Sequence, residues 1–265
     1  MNQEEEISGS NISRHSAIII ITIVFAWFFW WTLEPWLNDP SRFSDLSTWL
    51  VPLVFLGLFI SLASLSFLLV RNDNQKIILV LGVAVSFLFV FGYNHLYLIA
   101  FALLFLLSYR SMKIFDSEIE HRLKMKVGNI IWNGAPWLIT SILVLISFAY
   151  YLTPDVQALA QSGELPKSFQ RVVMTVVDQI FEGQTGLESG DGGNQVLSII
   201  NYYLRPYYKI LPPLAAFGMF LILQGLSFIF IWVVVPISAF LFWLMKKSGI
   251  VNIETVKVDA ERIKF

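Results

Sequence analysis

Cysteine does not occur in this chain of 265 residues. Its absence excludes disulfide bonds, thiolate metal sites and cysteine nucleophiles. Charge is also scarce, because Asp, Glu, Lys and Arg make up only 14% of the residues, against about 25% in soluble proteins. The formal net charge of −1 provides no overall basic field of the kind that attracts nucleic acid. We therefore expect neither an ordinary soluble domain nor a nucleic-acid partner.

The chain is instead rich in long apolar runs. Hydrophobic residues make up 56% of it, and runs of about 20 such residues are typical of transmembrane helices. The predicted fold is an all-α integral membrane protein with about six transmembrane helices, five of them in a bundle over residues 17–151, and the lipid bilayer is the first expected partner. The predicted spans are residues 17–33, 47–70, 77–91, 96–108, 131–151 and 214–245.

Two of these runs allow more than one interpretation. Residues 77–108 form either one helix or two short ones joined at 92–95, where Gly-Tyr-Asn favours a turn. We predict the hairpin, because it keeps the basic segments on either side of the run on one side of the membrane. Residues 214–245 form either one helix or a hairpin. A hairpin would have only Gly225 and Pro236 for its turn, so we predict one tilted span, kinked at Pro236.

The orientation follows from one charged segment, residues 109–127, which carries five basic residues. Short loops rich in Lys and Arg remain on the cytoplasmic side of a membrane. This rule places both termini, the tails 1–16 and 246–265, in the cytoplasm, with thirteen of the eighteen basic residues in cytoplasmic segments and five in the others. Apolar residues recur every three or four positions in the same region, which predicts an amphipathic helix on the membrane surface at 114–130.

The only sizeable segment predicted outside the membrane is residues 152–211, an extracytoplasmic helical insertion between the fifth and sixth spans. A helix beginning at Pro166 carries its apolar side chains on one face, spaced alternately three residues and one residue apart. We take this as the candidate interaction face: Phe169, Val172, Val173, Val176, Val177, Ile180 and Phe181. An apolar stripe of this size must be covered, either by the chain's own helices, by the outer leaflet or by another protein.

The sequence predicts no catalytic residue, no cofactor and no metal site. Its three histidines, His15, His95 and His121, fall on two different sides of the predicted membrane and so do not converge on one ion. No Asp, Glu, Lys or Arg lies inside a predicted span, although such charges mark ion paths, proton relays and intramembrane catalysis. Gln224 and Ser227 are the most polar mid-membrane pair, and we expect them to hydrogen-bond between helices.

These patterns favour a non-catalytic structural or accessory subunit of a membrane or envelope complex, with other membrane or envelope proteins as partners. The alternative is a permease subunit of an ATPase-driven exporter, since six spans with both ends inside also describe such proteins. A third hypothesis is a lipid- or glycan-modifying enzyme on the outer face. It would depend on the only candidate cluster of outer carboxylates, Glu34, Asp39 and Asp45.

Overall fold

The computed structural model describes residues 3–39, 47–121, 126–162, 170, 171, 173–177 and 191–251. These residues are mainly helical and contain no strand. The first five helices are α1 (Gln3–Asn38), α2 (Ser47–Leu69), α3 (Asp73–Phe91), α4 (Tyr97–Glu120) and α5 (Val127–Tyr151). Then come α6 (Pro154–Ser162), the helical residues 173–177, α7 (Asp191–Leu204), a 3-10 turn (Arg205–Tyr207), α8 (Leu211–Gly225) and α9 (Ser227–Lys247).

Six helices within the described ranges are long and apolar enough to cross a membrane: α1, α2, α3, α4, α5 and α9. Their number agrees with the six predicted spans, and their length and composition fit a multi-pass membrane protein. α8 is also apolar, but it has only 15 residues. Because a helix rises 1.5 Å per residue, α8 alone does not reach across a hydrocarbon core of about 30 Å.

The centre of the bundle is formed by α2 and α5. α2 packs against α1, α4, α5 and α9, while α5 packs against α2, α4, α8 and α9. α3 lies against α1 and α4. Aromatic rings fill much of the interior, and fully buried Trp30 meets Phe87 edge-on with ring centroids 5.1 Å apart. Such a ring pair adds about 0.5–1.5 kcal/mol beyond the burial of its area.

The bundle has two ends, which we name after one residue each. The Tyr93 end contains the last residues of α1, α3 and α5 and the first residues of α2, α4 and α8. The Lys76 end contains the first residues of α3 and α5 and the last residues of α2, α4 and α9. Successive membrane-length helices therefore run in opposite directions between the two ends.

Residues 77–108 form two antiparallel helices rather than one. α3 ends before Gly92, whose φ of +74° is a left-handed conformation that glycine adopts without a steric penalty. Asn94 then accepts the N–H of Leu96 through its Oδ1 atom at 3.0 Å. Phe87 of α3 packs edge-on against Tyr97 of α4, with centroids 4.8 Å apart. Both helices extend beyond the predicted bounds at the Lys76 end.

The surface helix predicted at 114–130 is not a separate element, and that prediction is wrong. Residues 114–120 continue α4, and α5 begins at Val127. The apolar repeat has another cause, because Phe115 is completely buried and its ring centroid lies 6.0 Å from that of Phe67 in α2. Phe115 also packs so closely on α5 that a Cβ atom at Gly134 would stand 2.5 Å from its ring. The repeat thus marks a face that packs on other helices and not on lipid.

The last apolar run is also divided differently from the prediction. It forms α8 and α9, which are separated at Leu226, whereas Pro236 lies inside α9. The break follows Gly225, a residue type that destabilises helix interiors by about 1 kcal/mol relative to alanine. Gln224 lies beside Thr140 of α5, and Val235 lies near Gly128, closer to the start of α5. α8 and α9 therefore follow α5 as one interrupted pass and not as a hairpin.

The two tails differ in what the structure describes. α1 begins at Gln3, so residues 3–16, which we expected to precede the first span as a tail, are helical and continuous with it. This run contains three consecutive glutamates, a residue type with favourable helix propensity. Of the tail 246–265, the last residues of α9 and the turn to 251 are described, and residues 252–265 lie outside the described ranges.

Candidate functional site

Hydroxyl groups in the interior connect the spans in pairs. The hydroxyl oxygens of Thr22 in α1 and Ser66 in α2 are 2.9 Å apart. Ser111 of α4 donates to the carbonyl oxygen of Gly134 in α5 at 2.8 Å. Hydrogen bonds of this kind contribute about 0.6 kcal/mol each on average between transmembrane helices. They therefore fix how the helices pack against each other more than they add to the free energy of unfolding.

Of the two mid-membrane candidates, Gln224 takes part in such a contact. The Thr140 hydroxyl of α5 lies 3.3 Å from its Oε1 atom and 2.9 Å from the Pro136 carbonyl oxygen, so its one hydrogen is shared between two acceptors. Ser227 lies beyond the break at Leu226 and is the first residue of α9. The two residues therefore belong to different helices, and Gln224 contributes a polar contact between α8 and α5.

A buried ion pair joins α3 to α4 at the Lys76 end. Lys76 lies in the first turns of α3 and is only 1% exposed. Its ammonium group donates to Oδ1 of Asp116 at 2.5 Å. The predicted span 77–91 leaves Lys76 just outside the membrane helix, whereas the structure places it inside α3 and buries it in the bundle. Because burial of an unpaired ammonium group is strongly unfavourable, Asp116 makes this position of Lys76 possible.

A second ion pair joins the same two helices. Lys113 of α4 donates to Asp73 of α3 at 3.2 Å, and both side chains are exposed. Within each helix the lysine lies one turn farther from the helix end than the aspartate, since Lys76 follows Asp73 in α3 and Lys113 precedes Asp116 in α4.

An apolar cleft with a volume of about 430 Å³ opens between α4, α5 and α8 near the Tyr93 end. Leu103 lines it from α4 and Leu96 from the residue before α4, while Phe148 and Tyr151 line it from α5. α8 provides the third wall, which includes Ala216, Phe217 and Phe220. The volume lies in the range of about 300–1,000 Å³ that is common for small-molecule sites.

A polar cleft of about 410 Å³ lies at the Tyr93 end itself, where α1, α3, α4 and α5 terminate. Its polar lining consists of Glu34, Asn38, Tyr93, Asn94, Tyr97 and Thr153. Phe91 also borders it and packs on buried Trp30, with ring centroids 6.3 Å apart. The aromatic interior therefore lies directly beneath this cleft.

The hydrogen bonds within the polar cleft decide which polar atoms of its lining residues are already used. Glu34 accepts a hydrogen bond from the Asn38 amide through Oε1 at 2.9 Å, and its Oε2 atom remains as an acceptor. Asn94 uses Oδ1 for the N–H of Leu96, so its Nδ2 group remains as a donor. Thr153 donates to the Tyr150 carbonyl oxygen at 2.8 Å, which leaves its oxygen as an acceptor. The cleft thus combines donors and acceptors.

The carboxylates considered for an outer-face enzyme do not all fall in the described ranges. Glu34 lines the polar cleft, Asp39 follows directly after α1, and Asp45 lies outside the described residues. His95 and His121 lie at opposite ends of the bundle. Within the described residues, no group of three or more His, Cys, Asp or Glu side chains could hold a metal ion.

The candidate interaction face is described only in part. The side chains of Phe169, Val172, Ile180 and Phe181 lie outside the described residues. Val173 is half-buried, Val177 is 9% exposed and Val176 is 47% exposed. Met174 approaches α7, since a Cβ atom at Gly193 would lie 3.5 Å from its Cγ atom. The chain itself therefore covers Val177 but leaves much of Val176 open.

A group of exposed rings and aliphatic side chains, which we call the tyrosine face, lies on α7 and the turn after it. Its members are Ile199, Tyr202, Tyr203, Tyr207 and Ile210. Tyr202 and Tyr203 are 75% and 70% exposed. On the other side of α7, Leu197 is buried, so α7 has one face packed on the protein and one aromatic face without a covering helix among the described residues.

Sequence reasoning missed the ion pair and both clefts. Lys76 and Asp116 are 40 residues apart, and no local pattern links them. The clefts are formed by residues from three or more helices, so their existence depends on packing. The separate signals that could have pointed to the polar cleft are Glu34 at the end of a span and the Gly-Tyr-Asn turn. Comparisons of the chain with protein-family models, with curated protein sequences and with solved structures found no match.

Proposed function

We propose that this chain is a non-catalytic structural or accessory subunit of a membrane or envelope complex. In this proposal the Lys76 end and both termini are cytoplasmic, and residues 152–211 form an extracytoplasmic segment that binds a partner protein. The orientation rests on the excess of basic residues at the Lys76 end, following the rule that basic loops stay inside.

The observation that carries the proposal is the tyrosine face. Soluble surfaces of single proteins seldom expose large contiguous apolar patches, and patches of this kind mark interaction sites. Tyrosine is enriched both in protein interfaces, including their energetically dominant residues, and at membrane surfaces. We favour a protein partner because the tyrosine face belongs to the segment between the fifth and sixth spans, which also carries the partly open Val176.

A photo-crosslinking experiment separates a protein partner from lipid. A photoreactive amino acid placed at Tyr203 in intact cells should give an adduct with one defined protein. The same group placed at Trp232, which is exposed on the membrane-spanning helix α9, should react mainly with lipid. If position 203 also gives only lipid adducts, the tyrosine face is a membrane anchor and the proposal fails.

A pair of variants then tests whether the adduct reports a functional contact. Tyr202→Ser combined with Tyr203→Ser should abolish copurification of the crosslinked protein, because both large rings are lost from the interface. Tyr93→Ser is the matched control, since Tyr93 is an exposed tyrosine at the same end but outside the tyrosine face. Equal loss of the partner in both variants would show that the effect is not specific to this face.

The second candidate, a permease subunit of an ATPase-driven exporter, is favoured by the polar cleft at the Tyr93 end. A hydrophilic cavity is what such a protein would need for its substrate. The aromatic layer formed by Phe91 and Trp30 would have to separate for a polar substrate to pass. Copurification of an ATPase bound at the Lys76 end, with loss of transport when the polar cleft is altered, would establish this function in place of the first.

A further inference from the structure

We propose that the polar cleft and the apolar cleft together bind one lipid, which carries a hydroxyl-rich headgroup such as a sugar. The headgroup lies in the polar cleft at the Tyr93 end. An acyl chain lies in the apolar cleft between α4, α5 and α8. The proposal concerns the leaflet at the Tyr93 end and does not depend on which side of the membrane this is.

The two clefts are neighbours, separated by the ends of α4 and α5. Leu96, directly before α4, lines the apolar cleft, and Tyr97, the first residue of α4, lines the polar cleft. Tyr151, the last residue of α5, lines the apolar cleft, and Leu152, directly after it, lines the polar one. Consecutive side chains on a helix point about 100° apart, so the two clefts lie on different faces of α4 and α5 at the same end, with the contact between these two helices between them. A molecule whose polar and apolar parts extend over the ends of these two helices can occupy both.

The occupant of the apolar cleft follows from its position. Its walls belong to membrane-spanning helices α4 and α5 and to apolar α8. In a bilayer that these spans cross, hydrocarbon borders the apolar cleft, and an apolar space open to hydrocarbon takes up a lipid chain without loss of hydrogen bonds.

The chemistry of the polar cleft favours hydroxyl groups over phosphate. Glu34 Oε2 and the Thr153 oxygen remain as acceptors, and Asn94 Nδ2 remains as a donor. A hydroxyl group both donates and accepts, so it complements this mixture. A phosphate group only accepts at neutral pH and would be repelled by the Glu34 carboxylate. Tyr93, which is 77% exposed, adds an aromatic ring beside the same cleft.

Native mass spectrometry of the full chain released from lipid nanodiscs tests the proposal. The nanodiscs contain equal amounts of a monoglucosyl diacylglycerol, phosphatidylglycerol and phosphatidylethanolamine with identical acyl chains. We expect the protein to retain the glucosyl lipid about tenfold more than either phospholipid. Equal retention of all three, or a preference for either phospholipid, overturns the assignment of the headgroup.

Variants in each cleft test the two halves of the site separately. Glu34→Gln removes the charged acceptor while keeping its shape, and the preference for the glucosyl lipid should fall about tenfold. Ala216→Leu fills the apolar cleft and should lower retention of the glucosyl lipid. Phe217→Ala removes a wall of the same cleft without overpacking it and should weaken retention even if the first variant does not fold.

The matched control is Leu221→Phe, which changes an exposed residue of α8 outside the cleft. It should retain the glucosyl lipid like the unaltered protein. If Glu34→Gln keeps the full preference, or if Phe217→Ala and Leu221→Phe retain the lipid equally well, the two clefts do not form one site and the proposal is wrong.

Discussion

Lys76 and Asp116 form a buried contact between α3 and α4, although Lys76 is almost fully enclosed and 29% of the Asp116 side chain is exposed. The lysine therefore bears most of the desolvation, while the carboxylate keeps access to water. A pair of this kind contributes little net stability compared with apolar residues of the same shape. Removing only one member of the pair is nevertheless strongly destabilising, because the remaining charge has no partner.

Asp116→Asn should lower the free energy of unfolding by about 3 kcal/mol, because it leaves the Lys76 ammonium group buried beside a neutral amide. Asp73→Asn is the matched control, since it removes the carboxylate of the neighbouring exposed pair, and exposed pairs contribute little. Thermal unfolding in one detergent measures both. The double variant Lys76→Met, Asp116→Leu should recover most of the loss. Equal destabilisation by both Asp→Asn changes would contradict the interpretation.

Gly134→Ala should destabilise the protein by about 1–3 kcal/mol, the usual cost of forcing extra volume into a packed core. An added Cβ would press on the buried Phe115 ring. Gly128→Ala on the same helix meets only Val235 at an ordinary 3.5 Å and should stabilise α5 slightly through its higher helix propensity. The two melting temperatures should therefore shift in opposite directions. A shift in the same direction would mean that Phe115 can move away.

The orientation can be tested with single cysteines, because the chain has none of its own. A cysteine at Tyr93 should react with a membrane-impermeant thiol reagent in intact cells. Cysteines at Lys113 and Ser248, both exposed at the Lys76 end, should react only after the membrane is opened. The reverse pattern would place the Lys76 end outside and would falsify the orientation.

Val177→Asp and Val176→Asp should separate self-covered from open parts of the candidate interaction face. Val177 is buried, so an aspartate there should unfold the segment or reduce the amount of protein, as expected for an unpaired buried charge. Val176 is about half exposed, so an aspartate should leave the fold intact and weaken only the association with a partner. Protease sensitivity and copurification are the measurements. Full association of a stable Val176→Asp protein would show that no partner covers this residue.

The sequence predicted the spans well because membrane helices leave a strong local signal. The apolar runs 77–91 and 96–108 and the Gly-Tyr-Asn turn between them are sufficient to place α3 and α4 on either side of Gly92. Such a local signal does not tell which helices pack against each other. The repeat containing Phe115 and Ile119 correctly marked an apolar face, but only packing against α5 and α2 shows that this face is buried by helices.

The candidate sites were harder to predict for the same reason. Gln224 could be selected because it is a polar residue in an apolar run. Lys76 could not, because it stands just outside the predicted span 77–91 and its partner lies on another helix. The two clefts depend on gaps between helices, and a gap has no sequence pattern. In the sequence Asn94 and Thr153 look like ordinary turn residues. Only the packing of four helix ends brings them to one cleft.

The interruption at Leu226 separates the α8 wall of the apolar cleft from the helix that follows it. α9 is held against α2, where the Ser61 hydroxyl lies 3.4 Å from the Val234 carbonyl oxygen. An added Cβ at Gly225 would meet no protein atom within 4 Å, so no described side chain packs on the joint at this position. A tilt of α8 about Leu226 would widen or narrow the entrance for a lipid chain while α9 stays in place. In such a change α8 would move and α9 would keep its position against α2.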